Sequence, residues 1–119
     1  MAQIAKRKLS GSTDGRGVLV GLTATPGTLI HTAVTGVVAG TFDEIWLYAY
    51  NSDTVDRLVT IELGGTTAPN DNIKVTIPFQ QGRFLVLDGA ILQNGTVARV
   101  FASAANVVVC TGFVNAITV

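Results

Sequence analysis

The chain has 119 residues, the length of one small domain, and only 13% of them are charged, with eight basic and eight acidic side chains. Typical domains are roughly 25% charged, so this chain has few charged groups to keep it soluble as a monomer. A single cysteine excludes an intrachain disulfide, and no stretch approaches the ~20 apolar residues of a membrane-spanning helix. Composition therefore predicts a soluble domain, made in the cytoplasm without a cleaved signal, that covers part of its surface with protein partners.

The N-terminal segment, residues 1–16, differs in character from the rest. It holds four of the eight basic residues, together with several Gly and Ser residues, and has few bulky apolar side chains. Such a segment buries too little surface to offset its ordering entropy, so it predicts a flexible basic arm, followed by a single β-sandwich domain over residues 17–119. We expect Lys6, Arg7 and Lys8 to contact an acidic patch on a partner. The alternative is a solvated tail, and nucleic-acid binding is not expected because three cations are a weak footprint.

Strand patterns fill the chain after the arm. Residues 45–50 alternate: Ile45, Leu47 and Ala49 share one face, and Trp46, Tyr48 and Tyr50 share the other. Similar period-two alternation, rich in β-branched residues, covers segments 18–22, 59–63, 73–77, 84–87 and 97–102. The last segment, 107–117, is long and apolar on both faces. In segment 97–102, Phe101 lies on the face opposite Val100, and if it faces the core, Phe101→Ala should destabilise the fold by roughly 3–5 kcal/mol.

Turn residues separate these segments. Pro26–Gly27 predicts a type II turn, and Asp88–Gly89 and Asn94–Gly95 mark others. Eight or nine short strands without room for crossover helices predict an all-β fold, an antiparallel β-sandwich or a barrel, of which we expect the sandwich. Several strands are apolar on both faces, whereas a sandwich strand needs only one apolar face for its own core. We therefore expect the second face to meet another chain.

The candidate oligomer interface is the strand side that carries the rings of Trp46, Tyr48 and Tyr50. Aromatic side chains are enriched at protein interfaces, because they combine a large apolar area with a polar group. Two alternatives stay open at this point. The rings can belong to the core, or they can stack on sugars as in a carbohydrate-binding module.

Catalytic chemistry is not expected. The one histidine, His31, has no nucleophile motif around it and is interpreted as an exposed or hydrogen-bonded strand residue. Cys110 lies in an apolar run and is interpreted as a small buried hydrophobe. Asp43 and Glu44 are adjacent, so on a strand they point to opposite faces and cannot easily act as a pair. One His and one Cys also cannot supply a zinc site, so no metal and no cofactor is expected.

Several strand-and-turn segments resemble small virion structural proteins of tailed bacteriophages, including capsid decoration (cement) proteins. The resemblance spans most of the chain after the arm, and it rests on segments 24–33 (ATPGTLIHTA), 43–49 (DEIWLYA), 60–67 (TIELGGTT), 90–95 (AILQNG) and 112–115 (GFVN).

The resemblance implies a jelly-roll-like β-sandwich that forms a homo-oligomer, often a trimer, seated on the outside of the capsid shell. Its expected partners are the major capsid protein and further copies of itself, and its expected place is the virion surface after synthesis in the host bacterial cytoplasm. A neck, tail or fibre component of the same virion is the nearest alternative. No contact residue is transferred from the family to this sequence.

Overall fold

The computed structural model describes residues 2–119, and Met1 lies outside the described residues. Nine strands follow one another in chain order: β1 (Gln3–Lys8), β2 (Val18–Leu19), β3 (Thr28–Thr32), β4 (Phe42–Asn51), β5 (Arg57–Leu63), β6 (Asn72–Ile77), β7 (Phe84–Leu92), β8 (Val97–Ala102) and β9 (Val108–Thr118). The number of strands confirms the prediction of an all-β chain. Within this part of the chain, no helix has the length and apolar character needed to cross a membrane.

The strands form two antiparallel sheets. Sheet I has the order β1-β9-β4-β7, and the short β2 pairs with β9 as well. Sheet II has the order β3-β8-β5-β6. The two sheets enclose a common apolar core, so the predicted antiparallel sandwich is confirmed. The jelly-roll-like connection of the strands stays a prediction.

The core is built from alternate positions of the central strands. In β4, Ile45, Leu47 and Ala49 are buried and their neighbours are not, as the alternation predicts. In β8 the buried positions are Ala98, Val100 and Ala102. Phe101 therefore lies on the outer face of sheet II, and its assignment to the core is wrong.

The N-terminal segment differs from the predicted flexible arm. Residues 3–8 form β1, which pairs with β9 from Gln3–Thr118 to Lys8–Phe113. Leu9 follows at once and is 1% exposed, within the core. The arm prediction counted only side-chain burial, whereas the main-chain hydrogen bonds of an edge strand also offset ordering entropy. Met1, the first residue of the predicted arm, lies outside the described residues.

Two predicted turns are replaced by other uses of glycine. Gly27 does not have the positive φ that a type II turn requires; a Cβ there would lie 2.6 Å from the Val100 carbonyl carbon, so glycine permits a close approach to β8. Gly89 has φ 92° but lies inside β7, where the pairing with β4 shifts by one residue. It marks a β-bulge rather than the end of a strand.

Candidate functional site

The three aromatic side chains predicted at an interface lie together on the outer face of sheet I. Trp46, Tyr48 and Tyr50 occupy the half-buried positions of β4, opposite the buried positions that form the core. Placement in the core, which the sequence left open, is therefore wrong. An oligomer interface and a sugar-stacking platform both remain compatible with this placement.

Neighbouring strands extend this surface on both sides of β4. The Trp46 and Phe113 rings stack with centroids 6.3 Å apart and an angle of 11° between their planes. On β7, Leu85 pairs with Tyr48 and is 48% exposed, and Ile91 pairs with Glu44 and is 56% exposed. Paired residues on adjacent strands share a face. We call this surface the aromatic face, defined by Trp46, Tyr48, Tyr50, Leu85, Ile91 and Phe113.

Two cations lie against the rings of the aromatic face. The Lys6 ammonium is 4.2 Å from the centroid of the Phe113 ring, and the Arg83 guanidinium carbon is 5.1 Å from the centroid of Tyr48. Arg83 also donates a hydrogen bond to Thr111 Oγ1 at 3.2 Å. Cation–π contacts of this kind contribute about 0.5–1 kcal/mol at exposed sites and more when a partner removes the water.

Glu44 supplies the negative group of the same surface. Its Oε1 accepts hydrogen bonds from Trp46 Nε1 at 2.7 Å and from Asn115 Nδ2 at 3.1 Å. These two donors, the indole first, lower the pKa of the Glu44 carboxyl below its ordinary value of 4.5. The hydrogen bond to Glu44 also restricts rotation of the Trp46 side chain. Less side-chain entropy would therefore be lost if a partner bound this surface.

One part of the outer face of sheet II, around Glu62, is covered by the segment that precedes β3. Glu62 lies on this face of β5 and is nevertheless 0% exposed. Thr25 Oγ1 donates to Glu62 Oε2 at 2.5 Å, and the Gly27 amide donates to Glu62 Oε1 at 2.6 Å. Arg99 Nη1 donates to the Gly27 carbonyl oxygen at 3.3 Å, so the segment before β3 is tied down on β5 and β8.

The predicted basic triplet is distributed over β1. Lys6 lies on the outer face with Phe113, and Arg7 pairs with the buried Val114 and lines a cleft on the inner side of the sheet. Lys8 Nζ donates to the Ser12 carbonyl oxygen at 3.1 Å. Among residues 2–119, none of the three cations forms an ion pair. Their predicted contact with a partner stays a prediction.

A buried polar network, which sequence reasoning missed, closes the inner end of this cleft. His31 Nε2 lies 2.7 Å from Asp43 Oδ2, and the Ser10 amide donates to His31 Nδ1 at 3.0 Å. Because Nδ1 accepts, Nε2 carries the proton and donates to Asp43. The hydrogen-bonded interpretation of His31 is thus confirmed. A bulge in β3 between Leu29 and His31 turns the imidazole inward. The amino-acid sequence contains no pattern that predicts this bulge.

The Ser10, His31 and Asp43 side chains do not form a nucleophilic triad. Ser10 Oγ accepts a hydrogen bond from the Thr32 amide at 2.7 Å, and only the Ser10 main chain bonds the imidazole. Asp43 is buried on the core side and Glu44 lies on the aromatic face, which confirms that the two carboxyls point apart. Asp43 is not at the solvent edge, because His31 and the Val34 amide bind it.

Two further features bear on reactivity, the Cys110 thiol and the placement of metal-ligating side chains. Cys110 is fully buried, as predicted, and burial raises the pKa of its thiol to about 12, so the thiolate is scarce at neutral pH. Within residues 2–119, no cluster of three His, Cys, Asp or Glu side chains is placed to hold a metal ion.

Comparison with known protein families, with curated proteins and with solved structures finds no match to this chain. The phage resemblance therefore rests on the quoted segments alone.

Proposed function

We propose that this protein is a structural component of a phage virion. In this proposal, copies assemble through the aromatic face into a closed homo-oligomer, a trimer in the simplest case, and the oligomer binds and stabilises the outside of a capsid as a decoration or cement protein. The observation that carries the proposal is the unequal covering of the two sheets: Thr25 and Gly27 close sheet II over Glu62, whereas no segment within residues 2–119 closes the aromatic face.

The chemistry of the aromatic face supports assembly. Interface cores are rich in aromatic residues and Arg and poor in other charged residues, and this face combines Trp46, Tyr48 and Phe113 with Arg83. Four strands spaced about 4.8 Å apart, and roughly 33 Å long at the centre, give a surface of several hundred Å². That is the scale of one partner's share, about 800 Å², of a standard protein interface.

Symmetry and avidity support a role on a repetitive shell. A closed cyclic oligomer buries its apolar faces without leaving a surface that recruits further copies. An oligomer that touches several shell subunits also gains avidity, so each single contact can be weak. Together with the sequence resemblance to phage capsid-associated proteins, this supports the major capsid protein as the partner.

Analytical ultracentrifugation tests the assembly step. We expect the wild-type protein to sediment as an oligomer and Trp46→Ala and Tyr48→Ala to sediment as smaller species with unchanged circular dichroism. Leu58→Ala, which removes an exposed apolar side chain from the outer face of sheet II, is the matched control and should remain oligomeric. A monomeric wild-type protein at high concentration, or equal dissociation by Leu58→Ala, would contradict the proposal.

Co-sedimentation tests the capsid step. Purified protein is mixed with phage shells that lack it, and we expect saturable binding that raises the temperature at which the shells open. Absence of co-sedimentation contradicts the decoration role. Binding to isolated tails or connectors instead of shells would support the neck, tail or fibre alternative.

A carbohydrate-binding module is the second candidate. The observation that favours it is the Trp46 ring, which lies beside the polar groups of Glu44 and Asn115, since sugars are bound by ring stacking together with hydrogen bonds. A glycan array distinguishes the two candidates. Selective glycan binding that Trp46→Ala abolishes, by a monomeric wild-type protein, would replace the assembly proposal.

A further inference from the structure

We infer that the unpaired edge of β1 is a docking site for an extended acidic segment of a partner protein, which adds to sheet I as a further strand next to β1. This inference deepens the proposed function, on which it rests for the identity of the partner. The binding event itself is a property of β1, of which Lys6 also contacts Phe113 of the aromatic face.

The first observation is an unused row of main-chain groups. β1 stands at the end of the strand order of sheet I and pairs only with β9. Within residues 2–119, no backbone hydrogen bond outside that ladder involves residues 3–8. An edge strand in this state presents alternate N–H and C=O groups to an incoming strand.

The second observation is that β1 has the geometry that an added strand requires. Its six residues pair with β9 in one uninterrupted register. The other edge of sheet I, β7, has two register shifts against β4, and β3 in sheet II has one. Bulges disfavour the pairing of an edge strand with a further strand. Of the two edges of sheet I, β1 is therefore the one suited to pairing.

The third observation is charge. All six side chains of β1 are exposed, and Lys6, Arg7 and Lys8 have no carboxyl partner within the described chain. A second copy of β1 would place cations beside cations on neighbouring strands, which is unfavourable. An acidic strand reverses the sign of that interaction, so the cationic edge selects its partner by charge.

The two faces of β1 define the acidic pattern that fits. Lys6 is directed to the outer face with Phe113, whereas Arg7 lines the inner cleft of about 350 Å³ that Thr118 and the His31–Asp43 pair also line. Because side chains alternate along a strand, successive acidic residues of an added strand would meet Lys6 on one face and Arg7 on the other. The partner segment is therefore one with two or more consecutive Asp or Glu residues in extended conformation.

Peptide titration followed by nuclear magnetic resonance tests this inference on the full chain. The probe is a seven-residue peptide with three central Glu residues flanked by Thr and Val. We expect its binding to shift the amide signals of residues 3–8 and to slow hydrogen exchange of those β1 amides that do not bond to β9. A peptide with Lys in place of Glu should bind at least tenfold more weakly.

Two further comparisons separate strand addition from simple charge attraction. The same acidic peptide with N-methyl groups on all its internal amides keeps its charge but has lost the main-chain donors of both edges, and it should bind at least tenfold more weakly. In the protein, Arg7→Gln should weaken binding several-fold, and the matched control Lys74→Gln, on the exposed part of β6, should not change it.

Several outcomes overturn the inference. Equal affinity of the N-methylated peptide would show charge attraction without strand addition. Signal changes confined to the aromatic face would place the site elsewhere. Tighter binding of a single-stranded oligonucleotide, without protection of β1 amides, would assign the cations to nucleic acid. Sedimentation of the peptide-free protein is unaffected by these results, so failure here is distinguishable from failure of the assembly proposal.

Discussion

The outer faces of the two sheets differ in what their glutamate carboxyl groups bind. On sheet II, a carboxyl group that would otherwise be exposed is used to bind the chain's own segment, through Thr25 and Gly27 on Glu62. On sheet I, the carboxyl group of Glu44 accepts a hydrogen bond from the half-buried Trp46 ring. The same residue type thus binds a segment of the chain on one face and an aromatic side chain on the other. Four predictions test this contrast, from the largest expected effect to the smallest.

Gly112→Ala should have the largest effect, because Gly112 lies at the contact of the two central strands that carry the aromatic face. Gly112 in β9 pairs with Leu47 in β4, and an added Cβ would overlap the Trp46 carbonyl oxygen. The two central strands of sheet I would have to separate, so we expect a loss of roughly 4 kcal/mol or more in the free energy of unfolding. Chemical denaturation measures it. The control is Gly21→Ala, whose Cβ meets its nearest atom at 3.5 Å, and an equal loss there would contradict the close-approach argument.

Glu62→Ala should come next, because it releases the segment that covers sheet II. The substitution removes two short hydrogen bonds and leaves the buried Gly27 amide without its acceptor. Hydrogen bonds to a carboxylate contribute about 1.5–3 kcal/mol each, so we expect a loss of about 3 kcal/mol or more in denaturant titrations. Glu44→Ala, the corresponding change on sheet I, should cost clearly less. If the two variants are equally destabilised, the contrast between the faces does not hold.

Phe101→Ala should have a smaller effect than a core Phe substitution. Phe101 is half-buried on the outer face of sheet II, so its removal should cost about 1–2 kcal/mol rather than the 3–5 kcal/mol typical of a buried Phe. Ile61→Ala, at a fully buried position of β5, is the comparison and should cost about 2–5 kcal/mol. The measurement is the denaturant concentration at the midpoint of unfolding of each variant. If Phe101→Ala unfolds at a lower concentration than Ile61→Ala, the Phe101 ring belongs to the core.

The smallest effect concerns the pH response of the aromatic face. The folded-state pKa of Glu44 is lowered by Trp46 and Asn115, so the stabilisation from these bonds is present above the unfolded-state pKa and is lost as the pH falls through the folded-state pKa. Trp46 is the single tryptophan, and its fluorescence should change with a midpoint below pH 4.5. The change should be absent in Glu44→Gln. A midpoint above the ordinary Glu value would show that the indole does not bind the carboxylate.

Local patterns were sufficient for the strand content of the chain and for part of the candidate surface. Alternation in residues 45–50 separates the core side chains from the aromatic ones correctly, because successive side chains on a strand always point to opposite faces. It does not say which set is inside. The rings of Trp46 and Tyr48 are the larger apolar groups, yet Leu47 and Ala49 face sheet II. In β8 the alternation likewise left open whether Phe101 faces the core, and the structure places Phe101 on the outer face.

What the amino-acid sequence determined by itself was therefore an all-β chain whose strands form an antiparallel sandwich. Only the tertiary structure decided that residues 3–8 form a strand on β9, that Thr25 and Gly27 cover Glu62, and that His31 reaches Asp43. The physical reason is distance along the chain. Propensity and alternation act between near neighbours, whereas β1 bonds to residues more than a hundred positions away, and such contacts are settled by the packing of the whole sandwich.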